Sequence, residues 1–309
     1  MSQVTRQPSP LRPGDRVQLV AASSALLGED ALARLEAGIA VLESWGLEVE
    51  RTPLHGRQWG YLAGQDHQRR GDLEAAARRG AELLACVRGG WGAARLLEAP
   101  LALPARWLLG FSDVTSLLWA QVAQGQGGAI HGPLLTTLAA EPAWSQERLR
   151  CLLFGEPLGE LQGEGWCGGS AAGPLLAANL TVATHLLGTP YLPDLRGTIL
   201  VLEDVGEAPY RIERMLTHWR LGGGLQQLAG IGLGQFTDCD DSTDEADRFS
   251  LEQVLRERTS DLGIPVVSNL PVGHGAGNAA LPLGAWAELD GSSGQLRISS
   301  AKQAPPLPR

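Results

Sequence analysis

The feature that most constrains this chain is an alternation of short apolar runs with amphipathic segments through its first half. "DRVQLVAAS" (15–23) is an apolar run rich in β-formers, and "DALARLEAGIAVLESWG" (30–46) carries apolar residues at helical spacing up to a glycine. "LEVER" is extended, "DLEAAARRG" helical, "AELLACVRGG" a buried strand, "GAARLLEAP" a short helix and "ARWLLGFS" another strand. Strands alternating with helices build βαβ units and a parallel sheet. Chemistry in such sheets collects at the carboxyl ends of the strands. Three segments fall there: Ala22-Ser23-Ser24, the loop "RGGWG" from Arg88 to Gly92, and Ser112-Asp113.

A length of 309 residues favours two domains over one core. The glycine-rich stretch 155–173 reads as a linker between an N-terminal domain, 1–154, and a C-terminal α/β domain, 174–309. The second half reads as a helix "LLAANLTVATHLLG", a strand "GTILVLED", an amphipathic helix "YRIERMLTHWRLGG", a strand "LAGIGLGQFTD", a helix "SLEQVLRERTSDLG" and a strand "PVVSNLPVGHG". It closes with a hairpin turning at Asp290-Gly291, and the tail "AKQAPPLPR" reads as frayed. A net charge of −9 disfavours nucleic acid as a partner. The pairs Arg69–Arg70 and Arg78–Arg79 read as solvated helix faces. No segment has the apolar length of a membrane span or a signal peptide, so a soluble intracellular chain is expected. Cys86, Cys151, Cys167 and Cys239 lack CxxC spacing and read as reduced thiols, neither a disulfide framework nor a zinc site.

Ser112 stands where the strand "WLLGF" turns into the helix that follows it. A hydroxyl on such a turn can attack a carbonyl while nearby N–H groups receive the oxyanion. Gly110-Phe111-Ser112-Asp113-Val114 lacks the second glycine of G-x-S-x-G, and the local pattern suits an ordinary helix cap as well. His274, among glycines in "PVGHG", is a candidate general base, with His131 its rival. Glu203 ends an apolar strand and can orient an imidazole, but Asp204 and Glu207 compete, as does pairing with Arg211 or Arg214. "RGGWG" is no phosphate loop; Gly90 can supply an oxyanion N–H and Arg88 can meet a carboxylate.

In order along the chain, "LRPGDRVQLVAASSAL", "GYLAGQDHQRRGDL", "RGGWGAARLL", "LLGFSDVTSLL", "HGPL", "GTPYLPDLRGTILVLEDVGEAPYRIERML" and "LPVGHGAGNAALPLGAWAEL" resemble the LD-carboxypeptidases, serine peptidases of the murein tetrapeptide carboxypeptidase and microcin C immunity group. The resemblance implies a flavodoxin-like N-terminal domain, a smaller C-terminal α/β domain and a site between them. It implies a triad of Ser112, Glu203 and His274, with an oxyanion hole from the N–H groups of Asp113 and Gly90. Asp113 would cap the helix while Ser112 faces the substrate. The implied reaction releases terminal D-alanine from murein tetrapeptides in cytoplasmic peptidoglycan recycling, by a homodimer without metal or cofactor. Trp91 stands where tyrosine is common, Ala22 where proline is usual, and "AANL" replaces "GGNL"; these departures bear on substrate preference. Arg88 and Trp91 are the substrate-binding candidates. The alternatives are an amidase acting on peptidyl-nucleotide analogues and a non-catalytic binding module.

Overall fold

The computed structural model describes residues 5–299 apart from 55, 104 and 241–248, so the tail read as frayed lies outside the described residues. The chain forms two compact units, residues 5–158 with 279–283, and residues 159–278 with the segment from 284 onward. Among the described residues no helix is long and apolar enough to cross a membrane. All four cysteines are free.

The first unit runs β1 (Arg16–Val20), α1 (Glu29–Ser44), β2 (Glu48–Glu50), α2 (Asp66–Arg79), β3 (Leu83–Cys86), β4 (Trp107–Gly110), α3 (Thr115–Ala123), β5 (Ala129–His131), α4 (Leu135–Leu138) and α5 (Ala143–Phe154). Its five parallel strands lie in the order 2-1-3-4-5, with Leu281–Pro282 added antiparallel beside β5. That is the flavodoxin-like order expected above, with its switch point between β1 and β3. The central strands β3 and β4 are apolar and buried along their whole length, as strands covered on both faces must be. α1 buries Ala31, Leu35, Ile39 and Leu42, spaced at three and four residues, against that sheet.

The second unit runs β6 (Leu161–Gln162), β7 (Glu164–Cys167), β8 (Ser170–Asn179), α6 (Leu180–His185), β9 (Ile199–Val205), α7 (Pro209–Leu221), β10 (Gly230–Thr237), α8 (Leu251–Thr259) and β11 (Val266–Ser268). After β12, the Leu281–Pro282 strand of the first sheet, come β13 (Trp286–Asp290) and β14 (Gln295–Ile298). β8, β9, β10 and β11 are parallel neighbours, flanked by antiparallel β13 and β7. α7 buries Ile212, Leu216 and Trp219 on one stripe.

Three local readings change. The stretch read as a linker holds β6, β7 and the start of β8. "LLAAN" is the buried end of β8, and helix begins only at Leu180, capped by the Asn179 side chain on the Val182 N–H. A continuous apolar run does not distinguish strand from helix by period. Arg69 is fully buried, contrary to the solvated face expected of it. Its Nη1 donates to the Ala22 and Gly92 carbonyls and its Nη2 to Asp66.

Candidate active site

In the first unit, β4 ends at Gly110 and Phe111 is still extended. Ser112 then takes φ 61°, a left-handed conformation rare for a non-glycine residue. Such strain persists only where the surroundings impose it, and it concentrates at functional sites. The turn Ser112–Val114 leads into α3, whose N-cap is Val114, and neither segment has a side-chain cap bond. The Ser112 hydroxyl is therefore not a helix cap. Nor does the Asp113 carboxylate cap the helix as expected, because it is turned toward the Gly92–Ala93 loop. Its Oδ2 accepts the Ala93 N–H at 2.8 Å. Burial pushes this carboxyl above the ordinary range, against the pull of that bond.

The loop after β3 presses directly on Ser112. A Cβ on Gly89 would stand 3.1 Å from the Ser112 Oγ. Gly90 has φ 111°, and a Cβ there would fall 2.2 Å from the Ser24 Oγ, so only glycine fits. Four side chains clamp the neighbouring main chain. The Ser24 Oγ accepts the Trp91 N–H at 3.1 Å, and the Arg69 Nη1 donates to the Gly92 carbonyl at 2.7 Å and to the Ala22 carbonyl. Asp113 holds Ala93, and the Arg88 Nη1 donates to the Ala25 carbonyl at 2.8 Å. The sequence reading placed the "VAASS" and "RGGWG" loops together but missed the roles of Ser24 and Arg69. An arginine on a polar helix gives no signal of burial when its partners are carbonyls. Trp91 is 41% exposed, presenting a large apolar face to solvent.

In the second unit, Glu203 lies in β9 with no exposed surface. Its Oε2 stands 2.6 Å from the His274 Nδ1. The loop after β11 reaches that close because Gly273, at φ 128°, has no Cβ; one would lie 2.9 Å from the same oxygen. The loop is further fixed by the Gly273 N–H on the Asn278 Oδ1 and the Gln235 N–H on the Val272 carbonyl. Burial raises the Glu203 carboxyl, more strongly than the His274 bond lowers it. With Nδ1–H directed at the carboxylate, Nε2 becomes the basic nitrogen of the neutral ring.

The rival groups are engaged elsewhere. Asp204 accepts from the Asn179 Nδ2, from the Thr181 N–H and hydroxyl, and from its own neighbour Val205, which fixes the start of α6. Glu207 pairs with Arg211 at 3.4 Å. His131 is buried within the first sheet, opposite Gly110 and Leu281, with its ring edge-on to Phe111. Among the described residues, Glu147, Cys151 and Glu156 come close enough to share an ion, but Arg150 already bridges both carboxylates.

Comparison with known proteins agrees with this architecture. Residues 17–132 match the N-terminal domain model of the LD-carboxypeptidases, and residues 172–289 match the C-terminal one. A putative carboxypeptidase of Synechocystis is 49% identical over 294 residues, covering 94% of this chain and 96% of that protein. The murein tetrapeptide carboxypeptidase of Pseudomonas aeruginosa is 37% identical over 301 residues, covering 90% and 94%. Among solved structures, the muramoyltetrapeptide carboxypeptidase from Oxalobacter formigenes has a TM-score of 0.80 at 27% identity, covering 92% and 97%. The microcin C7 self immunity protein MccF in complex with aspartyl sulfamoyl adenosine has a TM-score of 0.83 at 20% identity, covering 97% and 100%, and shares the fold. The chain is a carboxypeptidase of the serine class. It belongs to the LD-carboxypeptidase family.

Proposed function

We propose that this chain hydrolyses the L-to-D bond that releases terminal D-alanine from murein tetrapeptides, by a triad of Ser112, His274 and Glu203. The observation that carries the reading is the buried Glu203 carboxylate on the His274 Nδ1, at 2.6 Å. His274 takes the Ser112 proton as the oxygen attacks the scissile carbonyl. Glu203 holds the ring in one tautomer and stabilises its cation. The N–H groups of Asp113 and Gly90 receive the oxyanion, a contribution of about 3 kcal/mol per donor. The imidazolium then protonates the departing D-alanine nitrogen, and water hydrolyses the acyl-serine with the same histidine as base.

Arg88 and Trp91 are proposed to meet the substrate, Arg88 through its terminal carboxylate. Turnover of murein fragments and four free thiols favour the cytoplasm, and a homodimer is the proposed assembly. Likeness to the P. aeruginosa enzyme over nearly the whole chain supports a murein substrate above the peptidyl-nucleotide alternative. The test is purified protein with a murein tetrapeptide, D-alanine release being followed by mass spectrometry. Release by wild type and none by Ser112→Ala is expected; full release by the variant overturns the nucleophile.

A further inference from the structure

We propose that Ser24 is a positioning residue for the oxyanion hole, holding the two peptide planes on either side of Gly90 and so aiming the Gly90 N–H. The inference rests on the reading of Ser112 as nucleophile and Gly90 as oxyanion donor. The Ser24 N–H donates to the Gly89 carbonyl at 3.3 Å, and the Ser24 Oγ accepts the Trp91 N–H at 3.1 Å. The Gly89 carbonyl and the Gly90 N–H belong to one planar trans peptide. Pinning the oxygen therefore turns that N–H to the opposite side. The Trp91 N–H belongs to the next plane, and fixing it removes the remaining freedom about the Gly90 Cα.

Gly90 depends on such a clamp more than any other residue type would. It has no side chain to restrict its torsions, and it is held at φ 111°. The clamp and the space come from the same residue, since the Ser24 Oγ occupies the place a Gly90 Cβ would take. The loop's other anchors act further along, Arg69 on Gly92 and Asp113 on Ala93. Ser24 alone among these four loop clamps holds both peptides of Gly90. Because Gly89 packs on the Ser112 Oγ, rotation of this peptide moves the donor relative to the nucleophile. An oxyanion donor stabilises developing charge only if it is already in place.

The experiment compares Ser24→Ala, which loses the hydroxyl but keeps the main-chain N–H, with Ser24→Thr, which keeps the oxygen. For Ser24→Ala, kcat on a murein tetrapeptide is expected to fall about tenfold with KM within about twofold of wild type. Affinity for a phosphinate analogue of the tetrahedral intermediate falls in parallel, while affinity for the tripeptide product stays unchanged. Ser24→Thr retains most of kcat, and the unfolding temperatures of both variants stay near wild type. An unchanged kcat in Ser24→Ala, a loss confined to KM, or an equal loss in Ser24→Thr overturns the proposal. Ser112→Ala is assayed alongside. If it remains active, the underlying reading fails; if it is inactive while Ser24→Ala matches wild type, only the positioning role fails.

Discussion

Ser112 owes its presentation to main-chain geometry, a left-handed turn at the end of β4 with Gly89 packed against it. His274 owes its presentation to a side chain, the carboxylate of Glu203 buried in β9. In the proposed triad the two units thus build their parts from different materials. The backbone-built part is exacting about volume and torsion, and neither Ser112 nor Gly90 carries a charge. The side-chain-built part pairs a partly buried histidine with a fully buried carboxylate, so its energetics depend on protonation. Substitutions in the first unit should act through geometry at every pH, and those in the second should change how the protein responds to pH.

The largest effect expected is on Ser112. Ser112→Ala and Ser112→Gly should each lower D-alanine release by about 10⁴-fold or more, the scale set by removing a serine nucleophile elsewhere. The two variants should differ in stability. Glycine accepts φ 61° and alanine does not, so Ser112→Gly should be the more stable by about 1 kcal/mol in chemical denaturation. Equal stability would break the claim that the turn is strained.

Glu203→Gln comes next, with a loss of about 10³- to 10⁴-fold from an imidazole no longer oriented or stabilised as a cation. Its stability should separate from wild type in a defined direction. Burial raises the native Glu203 above its ordinary 4.5, so between 4.5 and that raised value the native state binds more protons than the unfolded state. Glu203 therefore contributes its full stability below 4.5 and loses it as pH rises through the native value. Glutamine has no such dependence. The unfolding temperature of Glu203→Gln, relative to wild type, should rise from about pH 4 to about pH 8. A flat difference would mean that the carboxylate carries no burial cost.

The contrast also explains what could be seen in the sequence. The alternation of mostly apolar runs such as "RVQLV" and "ELLAC" with helical segments made the parallel sheet legible, because strands covered on both faces are largely apolar. "LLAAN" misled for the same reason: a buried apolar run has no period to read. At the site, the order of "RGGWG", "GFSD", "VLED" and "PVGHG" marked the candidates. Local chemistry alone left Ser112 open between a helix cap and a nucleophile, since positive φ is a property of the packed turn. Nor could composition show that Asp113 turns toward Ala93, or that Arg69 is drawn inside by the carbonyls of Ala22 and Gly92. Those partners are main-chain atoms, which leave no trace in residue identity.

Gly90→Ala tests the backbone-built part without touching any titrating group. Its Cβ would overlap the Ser24 Oγ, so the loop must shift and carry the donor with it. A loss in kcat of about 10²-fold is expected, as for loss of one oxyanion donor. The loss should be the same across the active pH range. A pH-dependent loss would show that the two units differ less than the geometry implies.

The smallest effect belongs to Glu207, four residues beyond Glu203 and its rival in the sequence. Glu207, just before α7, meets Arg211 of its first turn at 3.4 Å, with Arg211 about half exposed and Glu207 partly buried. A partly solvated pair at that separation is screened by water and salt and contributes little. The His274 Nδ1, by contrast, is at hydrogen-bond distance from Glu203. Glu207→Gln should therefore leave kcat within about twofold of wild type and the unfolding temperature unchanged at every pH. Steady-state rates for the two glutamine variants, measured side by side, decide between the carboxylates. If Glu207→Gln lost the rate and Glu203→Gln kept it, the acid role would pass to the residue at the head of α7. The buried carboxylate of β9 would then be a structural partner of His274 alone.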